Sequence, residues 1–241
     1  HFNPARLVEA DRHFRASQDL DPNYAPAWHG MGYVRYLRSD FDAASFFYER
    51  ARDFDDNDFL VHFLEGLNLT RWDITDRELG LVADEESDRL ALARISLEKS
   101  AELRSGFAET WATLGATYVG AQRPSARGAE VLRRAHELLP QRADVTFNLA
   151  IVLARLGRRD EAQRLIEGEL SRQADEDTIV RAREGLLHVE LQVADEFLRE
   201  GNFEGGLEVL EEVISQTSDS ELFAQLSDKV DEVRTYLISA E

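Results

Sequence analysis

Two stretches of this chain carry the same spacing of bulky and small residues, and that spacing confines the fold to a narrow set. Trp28-x2-Met31-Gly32 recurs as Trp111-x2-Leu114-Gly115-x2-Tyr118. Downstream lie Ala44-x3-Tyr48 and Gly128-x3-Leu132, and Pro22 and Pro140 end similar blocks. A Gly or Ala where two helices cross lets their axes approach, and a bulky residue one turn on fills the adjoining groove. Repeated at a fixed distance, that pair describes a helical hairpin that stacks on copies of itself. A single hairpin leaves an apolar face exposed, so neighbours must cover it.

The small residues serve as a ruler along the chain. In second helices they fall at Ala10, Ala44, Ala93, Gly128, Ala162 and Gly206, each followed four residues later by Phe14, Tyr48, Leu97, Leu132, Ile166 and Leu210. In first helices they are Gly32, Gly66, Gly115, Ala150 and Ala194. From a second-helix slot to the next first-helix slot the step is 22 residues, except from 162 to 194, where it is 32. Within a hairpin the step is 12 or 13, except from 66 to 93, where it is 27. A period of 34 residues is thus interrupted by insertions of fifteen and ten. Arg38-Ser39-Asp40, Leu156-Gly157-Arg158 and Glu200-Gly201-Asn202 sit where one helix stops and its antiparallel mate starts. The pattern predicts helices over 4–19, 24–38, 41–54, 58–72, 86–103, 108–121, 125–138, 143–156, 159–172, 176–199, 203–216 and 219–239.

At these residues the chain resembles the tetratricopeptide repeat family, over roughly residues 5–216 and most closely at 22–56 and 108–174. It departs from the family pattern where His62 and Thr146 replace the tryptophan and Arg35 the tyrosine. Asp56, Ser105 and Ala174 replace the closing proline. The size alternation survives every one of these changes. The resemblance implies an all-α, right-handed superhelical solenoid of about five hairpins forming one domain over 1–241. A lone helix at 1–22 would precede hairpins at 23–56, 57–107, 108–142, 143–175 and 176–217. Beyond them, Leu222, Phe223, Leu226, Val230, Val233, Tyr236 and Leu237 recur at helical spacing, so 219–241 reads as a capping helix or one that docks on another copy of the chain. Asn3-Pro4 reads as a helix N-cap followed by Pro at the first helical position. The chain begins at His1 without Met, and reads as a fragment or processed form of a longer array.

The resemblance also implies a binding surface, the concave face lined by first helices. Residues one turn from the packing slots point there: His29, Tyr33 and Tyr36; Leu60, Phe63, Leu67 and Arg71; Ala112, Ala116 and Val119; Phe147, Ile151 and Arg155; Leu191 and Arg199. The same positions can equally serve as core between hairpins. An aromatic and aliphatic lining with a few Arg suits an amphipathic helix or an extended peptide. One branch of the family clamps a peptide's terminal carboxylate with a Lys/Asn-rich groove. Here Lys occurs only at 99 and 229, and the corresponding surface carries His29, Tyr33 and Tyr36, which argues against that role.

Composition narrows the partner further. Asp and Glu number 47 against 28 Lys and Arg, a net charge of −19 that repels phosphate backbones and argues against nucleic acid. Nearly all the basic residues are Arg, a usage that fits a GC-rich bacterial genome or a salt-adapted host. No apolar run reaches the ~18 residues that a membrane span requires. There is no Cys, so disulfides play no part and the compartment stays open.

The insertion at 73–86 reads as an excess loop, on which Trp72, Leu79, Leu81 and Val82 either pack on the rim or meet a partner directly. Asp53-Phe-Asp55-Asp-Asn57-Asp58 begins like a calcium loop, but Asp58 and Leu64 stand where that motif needs Gly and Glu, so a solvated turn is expected. His62-x2-Glu65 and His188-x-Glu190 lack the remaining ligands of a zinc site. Gly201-Asn-Phe-Glu-Gly205-Gly206 is accounted for by a turn and its packing slot. No nucleophile–base arrangement or phosphate loop appears, so the expectation is a non-catalytic scaffold or adaptor without metal or cofactor, binding a protein or peptide. A homo-oligomerisation module and a regulatory segment of a larger enzyme remain the rival readings.

Overall fold

Helix starts follow local chemistry. The Asp58 carboxylate accepts from the Leu60 N–H at 2.9 Å, the Ser87 hydroxyl from Leu90 at 3.3 Å, and the Asn202 amide oxygen from Gly205 at 3.1 Å. Pro26 sits in the first turn of its helix, where a missing N–H costs nothing. The computed structural model describes residues 4–81, 87–119, 125–173, 176–217 and 220–240; Asn3, Val82 and Ala174, named above, lie outside them. Among the described residues there are twelve helices and no strand: α1 Pro4–Leu20, α2 Ala25–Tyr36, α3 Phe41–Phe54, α4 Phe59–Glu78, α5 Asp88–Leu103, α6 Ala108–Val119, α7 Ala126–Leu138, α8 Ala143–Arg155, α9 Arg159–Gln173, α10 Glu176–Arg199, α11 Phe203–Gln216 and α12 Ser220–Ala240. No helix among them is long and apolar enough to cross a membrane.

The chain divides into two compact units. One comprises His1–Arg123 with Glu130–Pro140, the other Pro124–Ala129 with Gln141–Glu241. In the first, α2 pairs with α3 and α4 with α5, while α1 packs on α2 and α5 on α6. In the second, α8 pairs with α9 and α10 with α11, and α12 lies on α11. There Leu226 and Val230 of α12 join Val193, Ala194, Val209, Leu210 and Val213 in one buried cluster.

The glycine packing slots of the first three hairpins work as small-into-large contacts. A methyl added at Gly32 would stand 2.6 Å from Tyr48 Cε1, and one at Gly66 or Gly115 would strike Leu97 or Leu132. Tyr48, Leu97 and Leu132 are all completely buried. Gly30 takes Phe14 of α1 in the same way, so α2 receives a bulky side chain from each neighbour.

At one substituted position of the repeat pattern the fastening survives. The indole N–H of Trp28 donates to the Pro22 carbonyl and that of Trp111 to the Ser105 carbonyl, both at 2.8 Å. His62, in the tryptophan's place, sets Nε2 2.9 Å from the Asp56 carbonyl. The fastening needs a ring nitrogen and a main-chain oxygen six residues back, so proline is dispensable at 56 and 105.

One sequence expectation is corrected. Residues 73–78 are not loop: α4 runs to Glu78. Ser39, Gly157 and Gly201 each stand seven residues after their slot with φ of 59°, 73° and 79°, and Gly80, at 68°, stands fourteen after Gly66. At all four ends the next residue's N–H reaches back five positions: Asp40 to Arg35, Leu81 to Asp76, Arg158 to Leu153 and Asn202 to Phe197, at 2.8–3.0 Å. Seven added residues are two helical turns, so α4 grows without rotating its faces. The other insertion obeys the same rule. α2, α4, α6 and α8 begin seven residues before their slot and α10 eighteen before Ala194, eleven more, or about three turns.

Candidate protein-binding face

The first helices of each unit lie side by side, α2 beside α4 and α4 beside α6 in the first, α8 beside α10 in the second. On α2, Tyr33 and Tyr36 are one turn apart, and their rings stack at 5.9 Å with 16° between planes. Tyr33 is 39% exposed and Tyr36 half-buried. Burial pushes the Tyr36 phenol above its ordinary range, against the pull of Arg71 across from it on α4 and with a smaller push from Tyr33. Arg71 is exposed and forms no ion pair with the described residues. A flat aromatic pair beside an open guanidinium is thus presented by two neighbouring helices.

The remaining groove candidates fall into different settings. His29 is mostly covered, and its Nε2 lies 3.6 Å from Asp58, the residue that caps α4. Burial holds the His29 imidazole below its ordinary range, with Asp58 opposing. Leu60 and Phe63 pack against the cluster of Ala44, Tyr48, Ala51, Val61 and Leu64, and Phe63 meets Phe107 edge-on at 5.1 Å. Leu67, Ala116 and Val119 are half-buried, and Ala112 is buried within the core. In the second unit Phe147 and Ile151 are half-buried on α8, and Leu191 packs against the α10–α11–α12 cluster. The Arg155 side chain is covered and bound to Glu196 of α10 at 3.2 Å, whereas Arg199 is exposed.

Other polar residues serve the framework. Asn68, fully buried on α4, donates to the Phe41 carbonyl at 3.0 Å and the Ser45 hydroxyl at 2.9 Å. Glu65 binds Arg52 of α3 at 3.2 Å and accepts from Ser96 of α5 at 2.8 Å, so three helices meet on one carboxylate. Asp55 accepts from the Asn57 N–H and Asp58 caps α4, which makes the acidic run at 53–58 a turn and a helix start. Sequence reasoning missed these ties. Their trace was polar residues set among the apolar positions of α4.

Three solved structures superpose on this fold. PilF of Pseudomonas aeruginosa superposes with a TM-score of 0.58 at 14% identity, over 93% of this chain and 90% of that one. YrrB, described as a TPR protein with an unusual peptide-binding site, gives 0.57 at 17% identity, over 89% and 97%. MamA gives 0.55 at 16%, over 68% and 87%. The fold is the tetratricopeptide-repeat fold. No family model matches the chain, and no curated protein matches it in sequence. Against the tetratricopeptide-repeat pattern the substitutions now have physical readings. Arg35, in the tyrosine's place, reaches Asp11 of α1 at 3.3 Å and lies over the Phe47 ring. Thr146, in the tryptophan's place, turns its hydroxyl to the Arg142 carbonyl at the start of its own helix.

Proposed function

We propose that the chain is a non-catalytic scaffold that binds a peptide or protein segment along its first-helix faces. The observation that carries this reading is the stacked Tyr33–Tyr36 pair beside Arg71, which is exposed and forms no ion pair among the described residues. Half-exposed aromatic rings keep apolar surface in water, and covering them with a ligand gains about 1.5–3 kcal/mol for each large side chain fully buried. Phe63 and Leu67 extend the apolar lining on α4, and Arg71 orients an acidic or carbonyl group of the ligand. Phe147, Ile151 and Arg199 offer a second such lining on α8 and α10. Leu60 and His29 act at the edge as positioning residues, and Arg155 holds α8 to α10.

The test begins with a random peptide display on the immobilised protein. Tyr33→Ala/Phe63→Ala should weaken the selected peptide by at least about tenfold, with helicity retained and the melting temperature lowered only by the packing that Phe63 loses. Equal affinity for wild type and the folded variant would remove the first-helix face from consideration.

A further inference from the structure

α5 is apolar on two sides. Leu90, Ala93, Leu97 and Ala101 are buried against its neighbours. Away from them, Asp88, Ala91, Leu92, Ile95 and Glu102 are exposed and Lys99 half-exposed, all on one helical stripe. Leu92 is 53% and Ile95 65% exposed. Leu92 and Ile95 stand three residues apart on this stripe, an apolar pair left in water between charged neighbours.

The insertion adds to the same end of the hairpin. Asp73, buried near the end of α4, binds Arg77 at 2.7 Å and Ser87, and Asp76 binds Arg89, whose guanidinium lies 4.2 Å from the Trp72 ring centre. This clasp holds the end of α4 against the start of α5. Leu79 and Leu81 follow at once, 66% and 70% exposed.

The clasp also settles the charge. Arg77 and Arg89 are spent on Asp73 and Asp76, and Arg94 is turned to the Thr117 carbonyl and the Tyr118 ring. Glu78, Asp88 and Glu102 are exposed, against one cation on the stripe, Lys99. We infer that this outer face of α5 is a second docking surface, and that its occupant is a basic amphipathic helix from another protein. Apolar residues at i, i+3/i+4 and i+7 on the occupant would lie along Leu92 and Ile95, with Lys or Arg at the flanks meeting Glu78, Asp88 and Glu102. A second copy of this chain is disfavoured as occupant, because pairing two such stripes brings like charges together on molecules of net charge −19. The surface belongs to a second helix and shares no residue with the first-helix face.

The probe is a labelled peptide of about 18 residues, with leucines at helical spacing on one side and lysines elsewhere. Its controls are a scrambled peptide of identical composition and a glutamate-for-lysine version. Wild-type protein should bind the amphipathic basic peptide, more weakly as salt rises, and bind neither control comparably. Leu92→Ser/Ile95→Ser, with unchanged helicity, should weaken binding at least about tenfold, while Tyr33→Ala/Phe63→Ala should not. Four results overturn the assignment: a Leu92/Ile95 variant that binds like wild type, a scrambled peptide that binds equally well, loss of binding only in the Tyr33/Phe63 variant, or a wild-type dimer that Leu92→Ser/Ile95→Ser dissolves.

Discussion

At single residues, the fold depends on the absence of a methyl group as much as on the presence of large side chains. Gly115 has no room for a Cβ beside Leu132, which is completely buried. Gly115→Ala should therefore destabilise the first unit by about 1–3 kcal/mol, read by chemical denaturation. Leu132→Ala alone should cost about 2–5 kcal/mol, and the double variant less than the two combined, since the new methyl occupies part of the cavity. Glu190 makes the opposite case, an ionisable residue that is 3% exposed, with one carboxyl oxygen that has no hydrogen-bond partner among the described residues. Burial raises its carboxyl above the ordinary range, opposed by Arg159 of α9 and assisted by Glu212 of α11. The folded state then holds a proton that the unfolded chain releases, so stability falls as pH rises from the ordinary glutamate range through the folded value. Glu190→Gln should be more stable than wild type at pH 7 and level with it at pH 4, as measured by denaturant midpoints.

At the scale of helices, length is quantised by the faces that must stay buried. α4 exceeds its counterparts by two turns and α10 by about three, and in neither does the slot residue leave its partner side. The stop is equally stereotyped. Three of the four left-handed ends use Gly, whereas Ser39 adopts a φ of 59° with a side chain attached. Ser39→Gly should stabilise the α2–α3 hairpin by about 0.5–1 kcal/mol, visible as a higher melting temperature; a lower one would show that the hydroxyl contributes more than the strain it accompanies. The hairpin pattern was readable from the chain because slot, bulky partner and turn all lie within a single repeat. The extension of α4 was not, because a run such as Asp73-Ile-Thr-Asp-Arg-Glu suits helix or loop alike until Gly80 is recognised as the displaced stop.

Over the whole molecule, the excess of 47 acidic over 28 basic residues loads the folded state with self-repulsion. Raising salt within the range where charges are progressively screened should raise the melting temperature, and a fall would mean that the ion pairs outweigh the repulsion. Of the proposed face, Tyr33, Tyr36, Phe63 and Leu67 could be located from their distance to a slot, since one helical turn fixes direction. Which charges remain open could not. Arg155 finds Glu196, forty-one residues on, and Ser96 finds Glu65, thirty-one residues back, through neighbouring helices. The order of residues alone thus determined the hairpins, their period and their inward contacts, because those follow from local helical geometry and side-chain size. Only the tertiary structure decided which arginines are free, why His62 can stand for tryptophan, and that α5 keeps Leu92 and Ile95 facing outward, because each depends on what a second helix brings within reach.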